Sequence, residues 1–404
     1  MISAEEKILV NVLYKPESEI LNGIEINDIK TNKTLMDLPF SLTQKISEQD
    51  SIVWLKASNR YIILNSNILE LIKNKSSLSS KDFLDHITES LNVSSKKAER
   101  INEDISELLL EAKEEELKLD VKHTESIKSC KLIEYYSFNN IIIKVCFNSE
   151  QTKSLIHQKY SHLVTNNVKV YNFEYSIFNS DHKLFILKNN QVIGAWESSR
   201  LHEFQGKFSM ELMCSFYNKT EHDWMGVFHA STISKNNRSI MFTGNSGNGK
   251  STLVSILMAN GFNVIADDFS PILREDFKTY SFPSAISIKE KSFDLIEQLY
   301  PELKNSNEYY INRIKGNIKY LPPISKETSS NCSVVVWVKY SVKAENSMKK
   351  ISTQEALKKF LPDAWVSNKE VNAKAFLKWI NKITFYDLNY SDNDKLTSMI
   401  NSCL

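Results

Sequence analysis

The stretch that decides the fold runs from residue 244 to residue 251 and reads Gly244-Asn245-Ser246-Gly247-Asn248-Gly249-Lys250-Ser251. It matches the phosphate-loop pattern GxxxxGK[ST], in which glycines let successive backbone N–H groups curl around phosphate oxygens. The lysine reaches the β and γ phosphates, and the serine hydroxyl ligates Mg²⁺. The chain has only 9 glycines, and three of them lie here. The pattern predicts a nucleotide-binding site that extends through Thr252.

The flanking segments have the character that a phosphate loop requires. Arg238–Thr243 is an apolar run that predicts a strand entering the loop. Ser251–Asn260 predicts a buried helix, whose positive N-terminal end faces the same anion. Gly261 stands where such a helix ends. A second apolar run, Phe262–Ala266, predicts the next strand.

Two carboxylates and one histidine are candidates for the chemistry beside this loop. Asp267 and Asp268 follow the second predicted strand, where phosphoryl transfer needs a Mg²⁺ ligand or a proton acceptor. A solvated strand end is the alternative. His229 lies in the apolar run Trp224–Ile233, which a turn at 236–237 would return towards the loop. On this pattern alone, a structural role for His229 is also open.

The composition limits the function classes. The chain has 404 residues, and its 50 basic and 49 acidic side chains give a net charge of +1. This balance argues against a nucleic-acid binder. At about 150 residues per domain, the length predicts two or three domains. No run approaches the ~20 apolar residues of a transmembrane helix, and the charged start does not fit a secretory signal. The five cysteines include no CxxC pair, which argues against a disulfide framework. We therefore expect a cytoplasmic protein without a membrane partner.

The run from His229 to Asp268 resembles the kinase core of the HPr serine kinase/phosphorylase family, and more closely its related branch in peptide-biosynthesis clusters. The shared features are an upstream histidine, a GxSGxGKS loop and a strand ending Ala-Asp-Asp. The resemblance implies a phosphoenolpyruvate-carboxykinase-like P-loop kinase domain with a mixed sheet, over residues 131–404. It implies ATP, or another nucleoside triphosphate, with Mg²⁺. The residues carried over are Ser251 and Asp267 as metal ligands, and Lys250, Asp268 (the base) and His229 as catalytic residues.

The chain also departs from that family. Thr252 stands where the HPr enzymes carry an acid, and Ser287 replaces a second acid on the predicted strand Phe282–Lys289. Lys289 keeps a basic charge and is a candidate contact to phosphate or acceptor. No segment matches the one that those enzymes use for phosphorolysis. These departures weigh against the reverse reaction and against HPr as the substrate. Related enzymes assemble, so the resemblance allows a homo-oligomer.

Residues 36–115 have a different pattern. Two strands, Ser51–Lys56 and Arg60–Leu64, are followed by three helices, the second with the capping pattern Ser79-x-x-Asp82. A small sheet with three helices is the winged-helix shape, but the acidic outer face of the third helix would repel DNA. Residues 116–130 predict a linker, or equally a solvated helix end, and residues 1–35 carry no assigned motif.

The centre of this pattern, Asn59-Arg-Tyr-Ile-Ile-Leu-Asn, resembles the PqqD-like precursor-peptide recognition element. In that family a leader peptide adds as a strand to the edge of the small sheet and packs against the third helix. The resemblance implies peptide contacts at Tyr61, Ile62, Ile63, Ile101 and Ile105. The implied partner is a ribosomally made precursor peptide with a leader.

The two resemblances together predict an α+β and α/β multidomain protein, with an N-terminal winged-helix-like module and an HPr-kinase-like P-loop kinase domain. Its predicted activity is transfer of phosphate from ATP to a Ser or Thr hydroxyl of the captured peptide. Leader capture would raise the local concentration of the attached acceptor, typically to the millimolar range. Two alternatives remain open. One is a small-molecule kinase of the same fold, acting on free serine or a sugar. The other is a nucleotide-sensing, peptide-binding adaptor without catalysis.

Overall fold

A computed structural model gives the architecture of the chain. The structure describes residues 10–14, 40–56, 58–75, 77–111, 130–180, 182–312, 316–393 and 395–403. The chain divides into two units, residues 1–117 with 352–382, and residues 118–351 with 383–404. Each unit combines helices with sheets, so the fold is multidomain and mixed α and β. In the described residues, no helix combines the length and the hydropathy needed to cross a membrane.

The strands are numbered in chain order: β1 (Val10–Tyr14), β2 (Phe40–Lys45), β3 (Asp50–Leu55), β4 (Arg60–Asn65), β5 (Leu132–Phe138), β6 (Ile141–Phe147), β7 (Phe173–Ser180), β8 (Lys183–Lys188), β9 (Gln191–Glu197), β10 (Trp224–Phe228), β11 (Ser231–Lys235), β12 (Arg238–Thr243), β13 (Asn263–Ala266), β14 (Ser270–Leu273), β15 (Lys278–Tyr280), β16 (Ile286–Lys289), β17 (Tyr309–Asn312), β18 (Gly316–Leu321), β19 (Ser329–Tyr340), β20 (Ser347–Ile351), β21 (Ala364–Val366) and β22 (Thr384–Tyr390).

The α-helices are α1 (Ser66–Lys75), α2 (Ser80–Leu91), α3 (Ser95–Glu111), α4 (Glu150–Ser154), α5 (Leu201–Phe216), α6 (Lys250–Ala259), α7 (Phe293–Leu299), α8 (Thr353–Phe360), α9 (Glu370–Ile380) and α10 (Leu396–Asn401). A 3₁₀ helix at His157–Leu163 also matters for the site.

The first unit is built on an antiparallel sheet with the strand order β1-β4-β3-β2. Because side chains alternate along a strand, one face of β3 and β4 packs with α1, α2 and α3 into a single apolar core. The two strands and three helices predicted for this region are present. The predicted cap of the second helix is also present, since the Ser79 hydroxyl accepts a hydrogen bond from the backbone N–H of Asp82.

Residues 352–382 belong to the first unit, whereas the sequence analysis placed them in the C-terminal domain. They cover the second face of the sheet, where the ring of Tyr61 lies 5.0 Å from that of Phe376. The buried Asn59 side chain donates to the carbonyl of Val366 at 2.7 Å and accepts from the indole N–H of Trp54 at 2.8 Å. This packing is non-local, so no pattern within either segment could indicate it.

Replacement of Asn59 by alanine tests this connection. We expect the variant to lower the free energy of unfolding by about 2 kcal/mol, because the buried Trp54 N–H loses its acceptor. Asn59 also has a positive φ of 49°. Asn190→Ala is therefore the matched control, since exposed Asn190 has a φ of 66°. Urea unfolding followed by tryptophan fluorescence measures both variants. Equal losses would assign the effect to backbone strain rather than to the hydrogen bonds.

The described part of the second unit contains three sheets. The largest runs β13-β11-β12-β19-β15-β14-β10, with β22 beside β19 and β20 beside β22. It is mixed, because β12 and β22 both run parallel to β19 while the other pairs are antiparallel. A small antiparallel sheet has the order β16-β18-β17, and β5 to β9 form a third sheet in chain order. The predicted strands on both sides of the phosphate loop are β12 and β13, and the predicted helix is α6.

Asparagine makes the tight turns that glycine often makes elsewhere. Three hairpins turn through 139–140, 189–190 and 236–237, and all six residues are asparagines with φ between 49° and 66°. A two-residue turn of this kind requires positive φ at both positions, which asparagine tolerates. The predicted turn at 236–237 is thus confirmed. Because asparagine takes the positive-φ positions of these hairpins, the chain needs few glycines for its turns, and three of its 9 glycines lie in the phosphate loop.

Cys130 and Cys146 form a disulfide, with their Cα atoms 5.4 Å apart. The cysteine spacing, without a CxxC pair, argued against a disulfide framework, yet one disulfide is present. The register of β5 against β6 brings the two residues together, since Cys146 lies opposite Ile133 near the start of β5. Cys214 and Cys332 are buried free thiols, and Cys403 is a half-buried one.

Candidate active site

The phosphate loop connects β12 to α6 with an unusual backbone. Gly244, Gly247 and Gly249 have φ values of 149°, 93° and 88°, which side chains rarely allow. A Cβ on Gly244 would lie 2.7 Å from the carbonyl oxygen of Val338, and one on Gly249 would lie 2.7 Å from the hydroxyl of Tyr390. The loop is therefore tightly curled and lies directly against Val338 and Tyr390. A side chain at Gly244 or Gly249 would clash, so glycine is required at these two positions.

Positive charge converges on the loop. Lys250 is the first residue of α6, and only 8% of it is exposed. Its Nζ donates a hydrogen bond to the carbonyl of Gly244 at 2.5 Å. Lys289, at the end of β16, donates to the hydroxyl of Ser246 at 3.2 Å. The start of a helix adds its own partial positive charge. The hydroxyl of Thr252 shares a hydrogen bond with Ser292 at 2.8 Å.

Asp267 is held at the start of the same helix by three donors. The hydroxyl of Ser251 donates to its carboxylate at 3.1 and 3.2 Å, that of Ser231 at 2.5 Å, and the backbone N–H of Ser287 at 3.4 Å. Only 2% of Asp267 is exposed. Burial, together with the neighbouring charge of Asp268, raises the pKa of Asp267, while the three hydrogen bonds oppose that shift.

These donors fit Mg²⁺. The Ser251 hydroxyl and the Asp267 carboxylate are oxygen ligands, which Mg²⁺ prefers, and it usually takes its remaining ligands from water and phosphate. The described residues contain no cluster of three or more His, Cys, Asp or Glu side chains that could hold a metal. A cation here would also stabilise the buried carboxylate of Asp267, whose charge burial disfavours.

Replacement of Ser231 by alanine tests how Asp267 is oriented. Groups that orient a metal ligand typically change metal affinity by about 10–100-fold. We expect Ser231→Ala to raise about tenfold the Mg²⁺ concentration needed for tight binding of fluorescent ADP. Ser234→Ala is the control, because Ser234 is equally buried on β11 but its hydroxyl has no hydrogen-bond partner among the described residues. An unchanged Mg²⁺ requirement would mean that Ser251 and Ser287 suffice to orient Asp267.

Asp268 is the more accessible of the two carboxylates, with 40% of its side chain exposed. The Nδ1 atom of His229 lies 3.0 Å from one carboxylate oxygen, and the ammonium of Lys159 lies 4.0 Å from the other. Desolvation raises the pKa of Asp268, but the hydrogen bond from His229 and the charges of His229, Lys159 and Lys250 outweigh it and hold that pKa well below its usual range. Asp268 also has a positive φ of 66°, a strained conformation of the kind that clusters at functional sites.

The structure brings most of the predicted residues together. The loop, Lys250, Ser251, Asp267, Asp268, His229 and Lys289 form one connected cluster in the second unit. The predicted peptide contacts lie elsewhere: Tyr61, Ile62, Ile63, Ile101 and Ile105 are all at most 4% exposed in the core of the first unit. In addition, β4 is paired on both sides, with β1 and with β3.

Sequence reasoning missed three contributions to the site. Ser231 lies two residues after His229, within the run Trp224–Ile233, of which only the histidine was predicted to act. Tyr390 donates to the carbonyl of Gly249 at 3.3 Å and lies far along the chain. Lys159 sits on a 3₁₀ helix more than a hundred residues before Asp268. No motif includes these residues, because the fold alone brings them to the loop.

Comparisons with known proteins give little further information. No protein-family model and no curated protein matches the chain. Among solved structures, the HPr(Ser) kinase/phosphatase from Coxiella burnetii is similar over 44% of this chain and 91% of its own, with 12% sequence identity and a TM-score of 0.20. At this TM-score the similarity supports no inference about activity. The chemistry of the site therefore rests on its own geometry.

Proposed function

We propose that this protein is an ATP- and Mg²⁺-dependent phosphotransferase that phosphorylates an alcohol. One observation carries the proposal: the serine of the phosphate loop is hydrogen-bonded to Asp267, while the adjacent Asp268 faces outward beside His229. Phosphoryl transfer needs a metal-binding pair and a separate group for the acceptor hydroxyl, next to a phosphate cradle. A single strand end, Ala266 to Asp268, supplies both carboxylates.

The phosphate loop and the two lysines beside it bind the nucleotide. Backbone N–H groups at the start of α6 bind phosphate oxygens, and Lys250 exchanges its bond to the Gly244 carbonyl for one to phosphate. Ser251 and Asp267 hold Mg²⁺, which neutralises charge on the phosphates when it is bound. Lys289, beside Ser246, contributes a further positive charge at the outer side of the loop.

Asp268 orients the acceptor hydroxyl and takes its proton. In the transfer, a bond forms between the acceptor oxygen and the γ-phosphorus, and the bond from that phosphorus to the bridging oxygen breaks, which releases the nucleoside diphosphate. A low pKa makes Asp268 a weak base, which suits this reaction, because the proton leaves late in a loose transition state and positioning dominates. His229 fixes the orientation of the carboxylate through its 3.0 Å contact.

We further propose that the acceptor is a Ser or Thr hydroxyl of a precursor peptide held through its leader. Support comes from the small sheet with three helices in the first unit, which follows the sequence pattern of a peptide-recognition element. Since the predicted contact side chains lie in the core, we expect a leader to bind through backbone hydrogen bonds at an edge strand. In the described sheet the edge strands are β1 and β2.

The experiment combines the full chain with Mg²⁺, ATP and the peptide encoded beside its gene, and follows the mass of the peptide. We expect a gain of phosphate that depends on Mg²⁺. The same peptide without its leader separates the two parts of the proposal: slower transfer supports leader capture, and equal rates contradict it. Free serine and a sugar serve as competing acceptors. Transfer to them alone would favour a small-molecule kinase, and ADP release with no acceptor of either class would count against the proposal.

A further inference from the structure

The five-stranded sheet β5–β9 contributes one side chain to the active site. Lys159 lies on the 3₁₀ helix His157–Leu163, between β6 and β7. The carbonyl of Lys159 accepts a hydrogen bond of 2.8 Å from the N–H of Ala285, in the segment that leads to β16. The backbone of Lys159 is thereby tied to the strand that carries Ser287 and Lys289.

Its neighbour Tyr160 anchors the same helix. Only 2% of Tyr160 is exposed; its ring lies 6.1 Å from that of Phe282, and its hydroxyl shares a hydrogen bond of 2.9 Å with Ser209 on α5. Because the flanking residue is fixed on both sides, the backbone position of Lys159 is set by the fold, and only its long side chain can move.

The side chain of Lys159 extends over Asp268. Its Nζ lies 4.0 Å from Asp268 Oδ2, on the opposite oxygen from the one that His229 contacts, and 33% of the side chain is exposed. At this distance and exposure an ion pair adds little stability. In the part of the chain that the structure describes, the ammonium pairs with Asp268 alone, and the 4.0 Å separation leaves its protons available for a ligand beside Asp268.

The charge balance of the proposed reaction indicates what that ligand is. Lys250 and the start of α6 serve the phosphates on the loop side, whereas the transferring group moves towards Asp268, an anion. An anionic phosphoryl group approaching a carboxylate is repelled unless a cation stands beside both. Lys159 is the ammonium placed at that carboxylate.

We infer that Lys159 is a catalytic residue that binds the transferring phosphoryl group on its acceptor side, as an internal counterpart of an arginine finger. This inference rests on the proposed function. In the step described above, Lys159 changes no bond; it stabilises the negative charge on the equatorial oxygens while the phosphorus passes from the nucleotide to the acceptor. The 3₁₀ helix between β6 and β7 then completes the active site.

The test needs no knowledge of the acceptor, because ADP with Mg²⁺ and aluminium fluoride mimics the transferring group. Binding of fluorescent ADP is measured with and without aluminium fluoride in wild type, Lys159→Met, Lys159→Arg and the control Lys183→Met. Lys183 forms an exposed ion pair with Glu197 on the same sheet. We expect fluoride to tighten binding in wild type, and Lys159→Met to reduce that tightening at least about tenfold, with ADP affinity itself within about twofold. Lys159→Arg should keep most of the tightening, and Lys183→Met all of it.

The outcomes separate the two proposals. Full tightening in Lys159→Met, or a wild type that binds ADP without any tightening, overturns the role of Lys159 and leaves the proposed function standing. Failure of wild type to bind ADP at all overturns the proposed function and this inference with it. If Lys159→Met is poorly folded by thermal unfolding, Lys159→Gln replaces it in the same comparison, and an Arg variant no better than Gln contradicts the assigned charge.

Discussion

Asp268→Asn should reduce the turnover number for phosphoryl transfer by about 10³-fold, within the range that removal of a general base produces. The amide retains the shape of the carboxylate but cannot accept the proton or pair with Lys159. Asparagine also tolerates the left-handed backbone at this position, where φ is 66°, so the change tests chemistry rather than folding. We expect ADP affinity to stay within about threefold of wild type, because Asp268 acts on the acceptor hydroxyl rather than on the bound nucleotide.

The control for this prediction is Asp294→Asn, at an exposed aspartate in the first turn of α7. It removes the same charge from the same unit, at a side chain that forms no hydrogen bond or ion pair with the phosphate loop in the part of the chain that the structure describes. Transfer to the peptide is measured by mass, and ADP affinity by fluorescence. If Asp268→Asn kept the wild-type turnover number, Asp268 would not be the base. If wild type and both variants bound nucleotide but transferred no phosphate, the protein would be a nucleotide sensor instead.

Lys250→Met should reduce kcat/KM for ATP by about 10³-fold, comparable to the loss of one preorganised donor in other enzymes. The variant loses the ammonium that reaches the phosphates, which is the contact for which Lys250 gives up its 2.5 Å bond to the Gly244 carbonyl. Unlike Asp268→Asn, this variant should also weaken ADP binding, because the lysine acts on the bound nucleotide before any transfer.

Lys326→Met, at an exposed lysine in the same unit, provides the matched loss of charge. Isothermal titration with ADP and steady-state kinetics with ATP distinguish the two variants. An unchanged ADP affinity in Lys250→Met would show that the loop backbone alone holds the nucleotide, and the assigned role of Lys250 would then be wrong.

The candidate site was predictable to the extent that its chemistry is local in sequence. Eight consecutive residues specify the phosphate loop, because its glycines, lysine and serine each meet a requirement of backbone or charge. The two aspartates were found because they end the next strand, and His229 because a recognisable turn returns its strand to the loop. Each of these inferences depends on neighbours within a few dozen residues.

What escaped prediction depends on contacts between distant segments. Lys159 carries no motif, and its position follows from the hydrogen bond between its carbonyl and Ala285 and from the packing of its neighbour Tyr160. Residues 352–382 contain two amphipathic helices, α8 and α9, whose apolar side chains would suit either unit, so sequence could not assign them. The isoleucines of β4 and α3 were predicted to contact a peptide. A sheet edge that binds a peptide and a buried core have the same apolar composition, so the sequence alone does not distinguish them until a packing partner such as α9 is known.

Because residues 352–382 belong to the first unit, no single cut in the chain separates the two units. The second unit occupies two separate stretches of the gene, since β20 ends at Ile351 and its partner strand β22 resumes at Thr384. A truncated protein starting after residue 117 would still contain α8 and α9, with Phe376 and Trp379 deprived of their sheet and exposed to solvent. Such fragments tend to aggregate. A single recombination crossover could not exchange either unit intact, so the two units are inherited together.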